Sequence, residues 1–395
     1  MTIYLNKQKN ITVLDALFVF WLISELMFAY TTLSRIALVL FVAGALLCVK
    51  KYSWSYALTA YALFAVWSVL NIITDHAISE STAKAMTETM FFNLALLFAF
   101  VCYCKYVGNY QKILTIYKWI ITIFCIVCIV GGMSGVLAGE RLSVFEINSN
   151  AIAMLAAYAS ILSIHDFLNK KGKLARWGDL ALVLVYVLTI VLSGSRKGLI
   201  IPIVGLYVLV CMRKPQRFLL YSVGTILLAF FALLAILKID ILYNLIGYRV
   251  EPIIDYITLG AYNEASMESR MDYISLAWER SWHQPIWGHG LDCFRVLSGA
   301  HDTYSHCNFV EILFSLGCVG FLIYYIPYLW TLFKIPKALK RNKQLVSIAV
   351  AMLIPYLVCE YFQVTYFTRT SVIIPTLTML IISMKGADNE TQKTS

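Results

Sequence analysis

The chain has 395 residues, of which 60% are apolar and only 14% charged, with a mean hydropathy of +0.75 and a formal net charge of +10. About a quarter of the residues of a soluble domain are charged, so this composition excludes a soluble enzyme and reads as an all-α, polytopic integral membrane protein. The positive charge fits basic cytoplasmic loops and not nucleic-acid binding, because no basic stripe falls in a soluble segment.

In chain order, MTIYLNKQKN at residues 1–10 precedes an apolar stretch of about twenty residues with no small-x-small cleavage pattern, which reads as a retained first span. Twelve apolar segments follow, near 11–31, 34–49, 54–72, 86–103, 113–136, 149–168, 178–194, 197–212, 218–237, 308–333, 344–364 and 371–384. Lipid offers no water to an open backbone, so each is predicted to be a helix. The first nine occupy residues 1–237. An external lid loop takes 238–305, three more spans take 306–384, and 385–395 reads as a disordered cytoplasmic tail. With the N-terminus inside, the short inner loops collect Lys50 and Lys51, Lys170 to Lys173 with Arg176, Arg213 to Arg217, and Lys334 to Lys343. The outer segments hold fewer basic residues, with Lys238, Arg249, Arg270, Arg280 and Arg295 in the long loop, so the positive-inside rule selects this orientation.

Within the lid, EASMESRMDYISLAWERSW reads as a helix whose apolar face carries Met267, Met271, Ile274, Trp278 and Trp282 at three- and four-residue steps. The tryptophans suit the membrane interface. Most of the ten cysteines lie in apolar runs, and the Cys125–Cys128 CxxC sits mid-membrane, where packing is the better reading. Cys293 and Cys307 both fall outside the membrane, and whether they pair is open.

Four polar features gather at the outer ends. LSGSRKG opens a span with Ser193 and Ser195 as natural caps, then places Arg196 and Lys197 where the helix dipole disfavours cations. An anion such as phosphate would compensate them; a lipid headgroup would do so equally. EINSNAIA offers Asn148, Ser149 and Asn150 as caps or sugar contacts, with Arg141 just upstream. The lid helix carries Arg270, whose planar fork suits a phosphate clamp, and WGHGLDCF follows with a GxG turn. SHCNFVEILFSLGCVG puts His306, Val310, Leu313, Gly317 and Gly320 close to one helical stripe, on which the glycines would admit a neighbouring helix and fix His306. Asn308 lies beside that histidine, and Glu311 about a turn into the membrane, where an acid needs a partner. There is no DxD or carboxylate cluster for an outer metal, and no Walker or dinucleotide-binding glycine motif.

LSGSRKGLI, SRMDYISLAWERSWHQPIWGHGLDCF, SHCNFVEILFSLGCVG and, more weakly, INSNAIA together resemble the motifs of the O-antigen ligase and O-antigen/capsule polymerase family. The twelve-span layout with one large outer loop matches along the whole chain. Cys307 is a departure: the residue after the histidine is usually Asn, Ser or Gln in that family, and here Asn308 follows it. The resemblance implies a metal-independent glycosyltransferase in the bacterial cytoplasmic membrane, with both termini cytoplasmic and no cofactor. Its donor would be a polyprenyl-pyrophosphate-linked oligosaccharide, and its partners membrane lipids and a polysaccharide chain-length regulator. It makes Arg196 and Arg270 the holders of the pyrophosphate and His306 the group that activates the acceptor hydroxyl. Lys197, Ser195, Asn150, Asn308, Glu311 and Arg141 are the accompanying substrate-binding candidates. Polymerase is the first reading, ligase the second, and a flippase or transporter the third.

Overall fold

The computed structural model describes residues 11–29, 31–50, 52, 54–144, 147–259, 265–299 and 302–384. The expected disordered tail at 385–395 lies outside these residues. Among the described residues the backbone is helical throughout, apart from turns and one isolated bridge between Val144 and Ile147.

Each of the twelve apolar segments falls on a helix. These are α1 (Val13–Met27), α2 (Thr32–Cys48), α3 (Tyr56–Ile73), α4 (Glu80–Val107), α5 (Tyr110–Leu137), α6 (Ser149–Asn169), α7 (Lys173–Ser193), α8 (Arg196–Arg213) and α9 (Phe218–Lys238). The lid contributes α10 (Tyr248–Leu259) and α11 (Ala265–Ser281), and the chain closes with α12 (Asn308–Leu339), α13 (Lys343–Cys359) and α14 (Ile373–Ser383). Seven helices are long and apolar enough to cross a membrane: α3 to α7, α12, and α9 with the short turn before it. The protein is therefore a polytopic, all-helical membrane protein. No residue of α9 is buried, which suits a helix facing lipid on all sides.

The helix starts follow local chemistry. Thr12 and Asp15 form a reciprocal capping box on α1, and Asp15 also accepts from Lys112 at 2.6 Å and Tyr103 at 2.8 Å. At the end of the bundle carrying the basic loops, buried Lys118 pairs with Asp166 and with Asp179, the latter at 3.2 Å, and Lys170 reaches Asp179 at 2.6 Å. A buried charge is tolerable only when paired in this way. Near the other end, buried Glu25 and Arg369 pair at 3.1 Å and tie α1 to the turn before α14.

Two expectations about packing are corrected. The predicted glycine stripe on a continuous helix does not exist, because α12 breaks at Gly317, whose φ is 63° and ψ −169°. The segment that fills the break comes from the lid. Cys318 N–H donates to Pro285 O at 2.7 Å, while His289 and Gly290 N–H donate to Phe314 O and Ser315 O at 2.9 and 2.8 Å. Trp67 donates to Leu316 O at 3.0 Å from α3. A Cβ on Gly317 would lie 2.2 Å from Ile286 O, and one on Gly288 2.5 Å from Gly317 N, so both glycines are needed for backbone-to-backbone contact. Broken backbone at membrane depth survives when protein groups satisfy it. Gly320 faces its own helix, where a Cβ would meet Leu316 Cβ at 2.2 Å, and not a neighbouring one.

The second correction concerns α11. Its bounds match the predicted lid helix, but Trp278 and Trp282 are exposed and meet edge to face, with ring centroids 5.2 Å apart. The face packed on α12 carries Tyr273, Leu276 and Ala277, which join Phe294, Phe314 and Cys293 in a separate small core. The stripe read from the sequence is thus partly the outward face, with Met267 outside the residues whose side chains are described. Cys293 and Cys307 are both buried free thiols and do not pair.

Candidate functional site

His306 sits two residues before α12, in a turn shaped from within the bundle. Its φ is +64°, a left-handed conformation that costs a non-glycine residue roughly 1–3 kcal/mol and persists only where the surroundings hold it. They do so in two ways. Fully buried Glu311 reaches back so that its Oε2 accepts from Ser305 N–H at 2.7 Å, and Ser305 Oγ donates to Cys307 O at 3.2 Å. The ring lies against two tyrosines, with centroids 4.5 Å from Tyr304 and 6.2 Å from Tyr273 of the lid helix.

Asn308, also fully buried, is saturated by protein. Its Nδ2 donates to Tyr325 Oη at 2.9 Å, and its Oδ1 accepts from Thr365 and Tyr366 N–H at 2.9 and 3.2 Å. Its own N–H donates to Glu360 O at 2.8 Å. Asn308 and Glu311 were expected as substrate-binding residues. Asn308's amide is engaged inside the protein; Glu311 uses only Oε2, and its buried Oε1 has no hydrogen-bond partner among the described residues. Asn308 fixes the 360–368 turn, and Glu311 fixes the turn that carries His306.

Residues of the 363–371 turn form one wall of a cavity of about 330 Å³, with Tyr304, Lys197, Asn148 and Asn150 on the others. A larger chamber of about 660 Å³ adjoins it and shares Asn148, Ala151, Leu155, Thr368 and Thr370. Two helix starts deliver the polar residues. Asn148 caps α6 by accepting from Asn150 N–H at 2.8 Å. Ser195, buried, caps α8 with a weak contact from Gly198 N–H at 3.5 Å. Gly198 lets α8 approach α6 closely, since a Cβ there would lie 2.8 Å from Ala153 Cβ.

The charges around this cavity are nearly all positive. Arg141 donates through Nε to Ser193 O at 2.8 Å and through Nη2 to Asn150 Oδ1 at 3.0 Å. Its basicity is lowered by burial first and then by Arg249, Arg196 and Arg270, with Tyr248 opposing. Three further arginines are therefore within electrostatic reach of Arg141. His306 is pushed down to about 4, by burial first, then by the charges of Arg270 and Lys197. At neutral pH it is an uncharged imidazole able to accept a proton.

The sequence candidates are thus brought together electrostatically but do not all line one wall. Lys197 and Asn150 line the 330 Å³ cavity. His306 stacks on its Tyr304, while Arg270 and Arg196 act on the site through their charges. Tyr304, Tyr273 and Arg249 were not foreseen. Tyr304 could have been noticed as an aromatic two residues from a candidate base; Arg249 carries no motif.

Residues 180–325 match the family model described as O-antigen ligase, so this part of the chain is similar to that family. The matched stretch contains Arg196, Lys197, Arg270 and His306. No curated protein matches the chain.

Proposed function

We propose, from this family similarity and the cationic field around a neutral His306, that the protein is a glycosyltransferase whose donor is a glycan linked through pyrophosphate to a polyprenol. We read it as the polymerase that joins lipid-linked repeat units at the outer face of the bacterial cytoplasmic membrane. What supports the reading is that, after burial, the charges of Arg270 and Lys197 both lower the basicity of His306, so two cations act on a candidate proton acceptor.

The acceptor sugar's hydroxyl attacks the donor's anomeric carbon, and its proton passes to the His306 ring. The bond from that carbon to the pyrophosphate oxygen breaks, and the electron pair leaves with the lipid pyrophosphate. Arg270, Arg196 and Lys197 stabilise the charge that develops there. One such contact is worth about 2.7–4 kcal/mol by analogy with oxyanion sites. Arginine is suited because its fork engages two phosphate oxygens, which lysine cannot copy. Arrival of the anion also offsets the field on His306, which makes it a stronger base only once the donor is bound.

The test is reconstitution of purified protein with lipid-pyrophosphate-linked repeat units. A ladder of polymer supports the polymerase; transfer only when a lipid-A core is supplied identifies the ligase. In cells, Arg196→Ala should leave lipid-linked units outside the membrane without polymer. Units trapped inside would instead identify a flippase.

A further inference from the structure

A second polar cavity, of about 230 Å³, lies at the opposite end of the bundle. Arg213 ends α8, the helix that begins with Arg196 and Lys197, so the two sites stand about 25 Å apart at 1.5 Å per residue. The wall carries Arg213, Lys214, Lys343, His165, Asn169 and Ser347. Three are cationic, three bring neutral polar groups, and no carboxylate lines the cavity.

The wall also holds unused hydrogen-bonding capacity. His165 Nε2, Ser347 Oγ and Arg213 Nη1 are buried with no hydrogen-bond partner among the described residues. His165 and Ser347 are only 5% and 2% exposed. Buried polar groups are normally satisfied, and each exception needs an explanation. Here three exceptions converge on one cavity from α6, α8 and α13. His165 is held by Asp166, whose Oδ1 lies 3.6 Å from Nδ1, while Lys343 Nζ donates to Arg213 O at 2.8 Å and joins two of the cations. The cavity is several times the roughly 30 Å³ of one water, so a single water would not fill it.

We propose that this cavity binds a phosphate group, supplied by an anionic phospholipid or by phosphate from solution. A tetrahedral oxyanion accepts from a guanidinium, ammonium groups and a hydroxyl at once, and so satisfies Arg213 Nη1 and Ser347 Oγ together; His165 Nε2 joins them when it carries a proton. Basic residues at a helix-terminal surface are also where anionic headgroups concentrate. The site is separate from the glycosyl-transfer centre and does not depend on that assignment.

The test uses the purified full-length protein in nanodiscs of phosphatidylcholine, with or without phosphatidylglycerol, and with inorganic phosphate added to the phosphatidylcholine discs. Thermal unfolding and lipid retention in native mass spectrometry are the readouts. Phosphatidylglycerol should raise Tm and leave one retained anionic lipid if the source is a headgroup; inorganic phosphate should raise Tm alone if the source is soluble. Either rise should weaken at least about tenfold in apparent affinity in Arg213→Gln with Lys343→Gln, the loss of one charge-assisted contact. It should persist in Lys171→Gln, a basic residue outside the cavity. Ser347→Ala, which removes one hydroxyl and no charge, should show a smaller loss and serves if the double variant does not fold. No rise with either probe, or the same rise in all variants, overturns the proposal.

Discussion

Two charged clusters near opposite ends of the bundle differ in their balance. In the first, Lys118 lies between Asp166 and Asp179, and Lys170 reaches both, so each buried charge meets its opposite. In the second, Arg249, Arg196 and Arg270 each act on Arg141. Arg141's bonds to Ser193 and Asn150 go to neutral oxygens, and Lys197 and Arg270 have no carboxylate in ion-pair range among the described residues. The balanced cluster holds helices together and leaves little field outside itself. In the second, the charges of Arg270 and Lys197 are read out at His306, and the function proposed above brings the donor's pyrophosphate to meet them. Charge at a membrane protein's helix ends therefore indicates function when it lacks neutralisation, not simply when it is present.

The comparison breaks most visibly at Lys118. Lys118→Met removes the buried partner of Asp166 and Asp179 and leaves them the half-exposed Lys170, so it should cost up to about 3–5 kcal/mol, seen as loss of folded yield and a lower Tm. Arg270→Lys should do the reverse: Tm stays near that of the wild type, while polymer formation falls roughly 10²–10³-fold, the range for one oxyanion contact. A large Tm loss in Arg270→Lys with activity kept would erase the distinction. Gly317→Ala sharpens how the lid is held. Its φ of +63° and the 2.2 Å approach to Ile286 O predict a cost of about 1–3 kcal/mol. The lid should then loosen, which fluorescence of Trp287, stacked 4.5 Å from Trp67, can follow. The smallest effect is on pH dependence. His306 must be neutral to accept a proton, so activity falls as pH drops through its pKa. In the free protein that value is near 4, which sets the acid limb of kcat/KM. The bound anion offsets Arg270 and Lys197, so kcat should fall off at a higher pH than kcat/KM. Coincident limbs would mean that the field on His306 does not change on binding.

Much of the bundle is legible in the sequence because lipid imposes one rule: each long apolar run becomes a helix, and all twelve do. The α11 boundaries were also readable, within a residue of the predicted stretch. Its packed face was not, because Trp278 and Trp282 suit a lipid interface as well as a protein core, and hydropathy does not separate the two. The break at Gly317 was hidden for another reason. Its partners, Pro285, His289 and Gly290, come from a distant segment, and nothing local in SLGCVG announces a broken helix. At the site, the cations and His306 were visible as residue types in motifs. The engagement of Asn308 and Glu311 inside the protein was not, since it depends on the 360–368 turn and on the φ of His306.

The central claim is that burial, and then the charges of Arg270 and Lys197, hold His306 neutral, and that an anionic donor relieves the charge part. The most direct test is NMR titration of His306, labelled in the histidine ring and assigned with His306→Gln, in nanodiscs with and without a polyprenyl pyrophosphate. The account predicts a pKa near 4 in the free protein, rising toward the ordinary imidazole value once the pyrophosphate is bound, with the rise reduced in Arg270→Gln. An ordinary imidazole pKa without the ligand, unchanged when it is added, would contradict it.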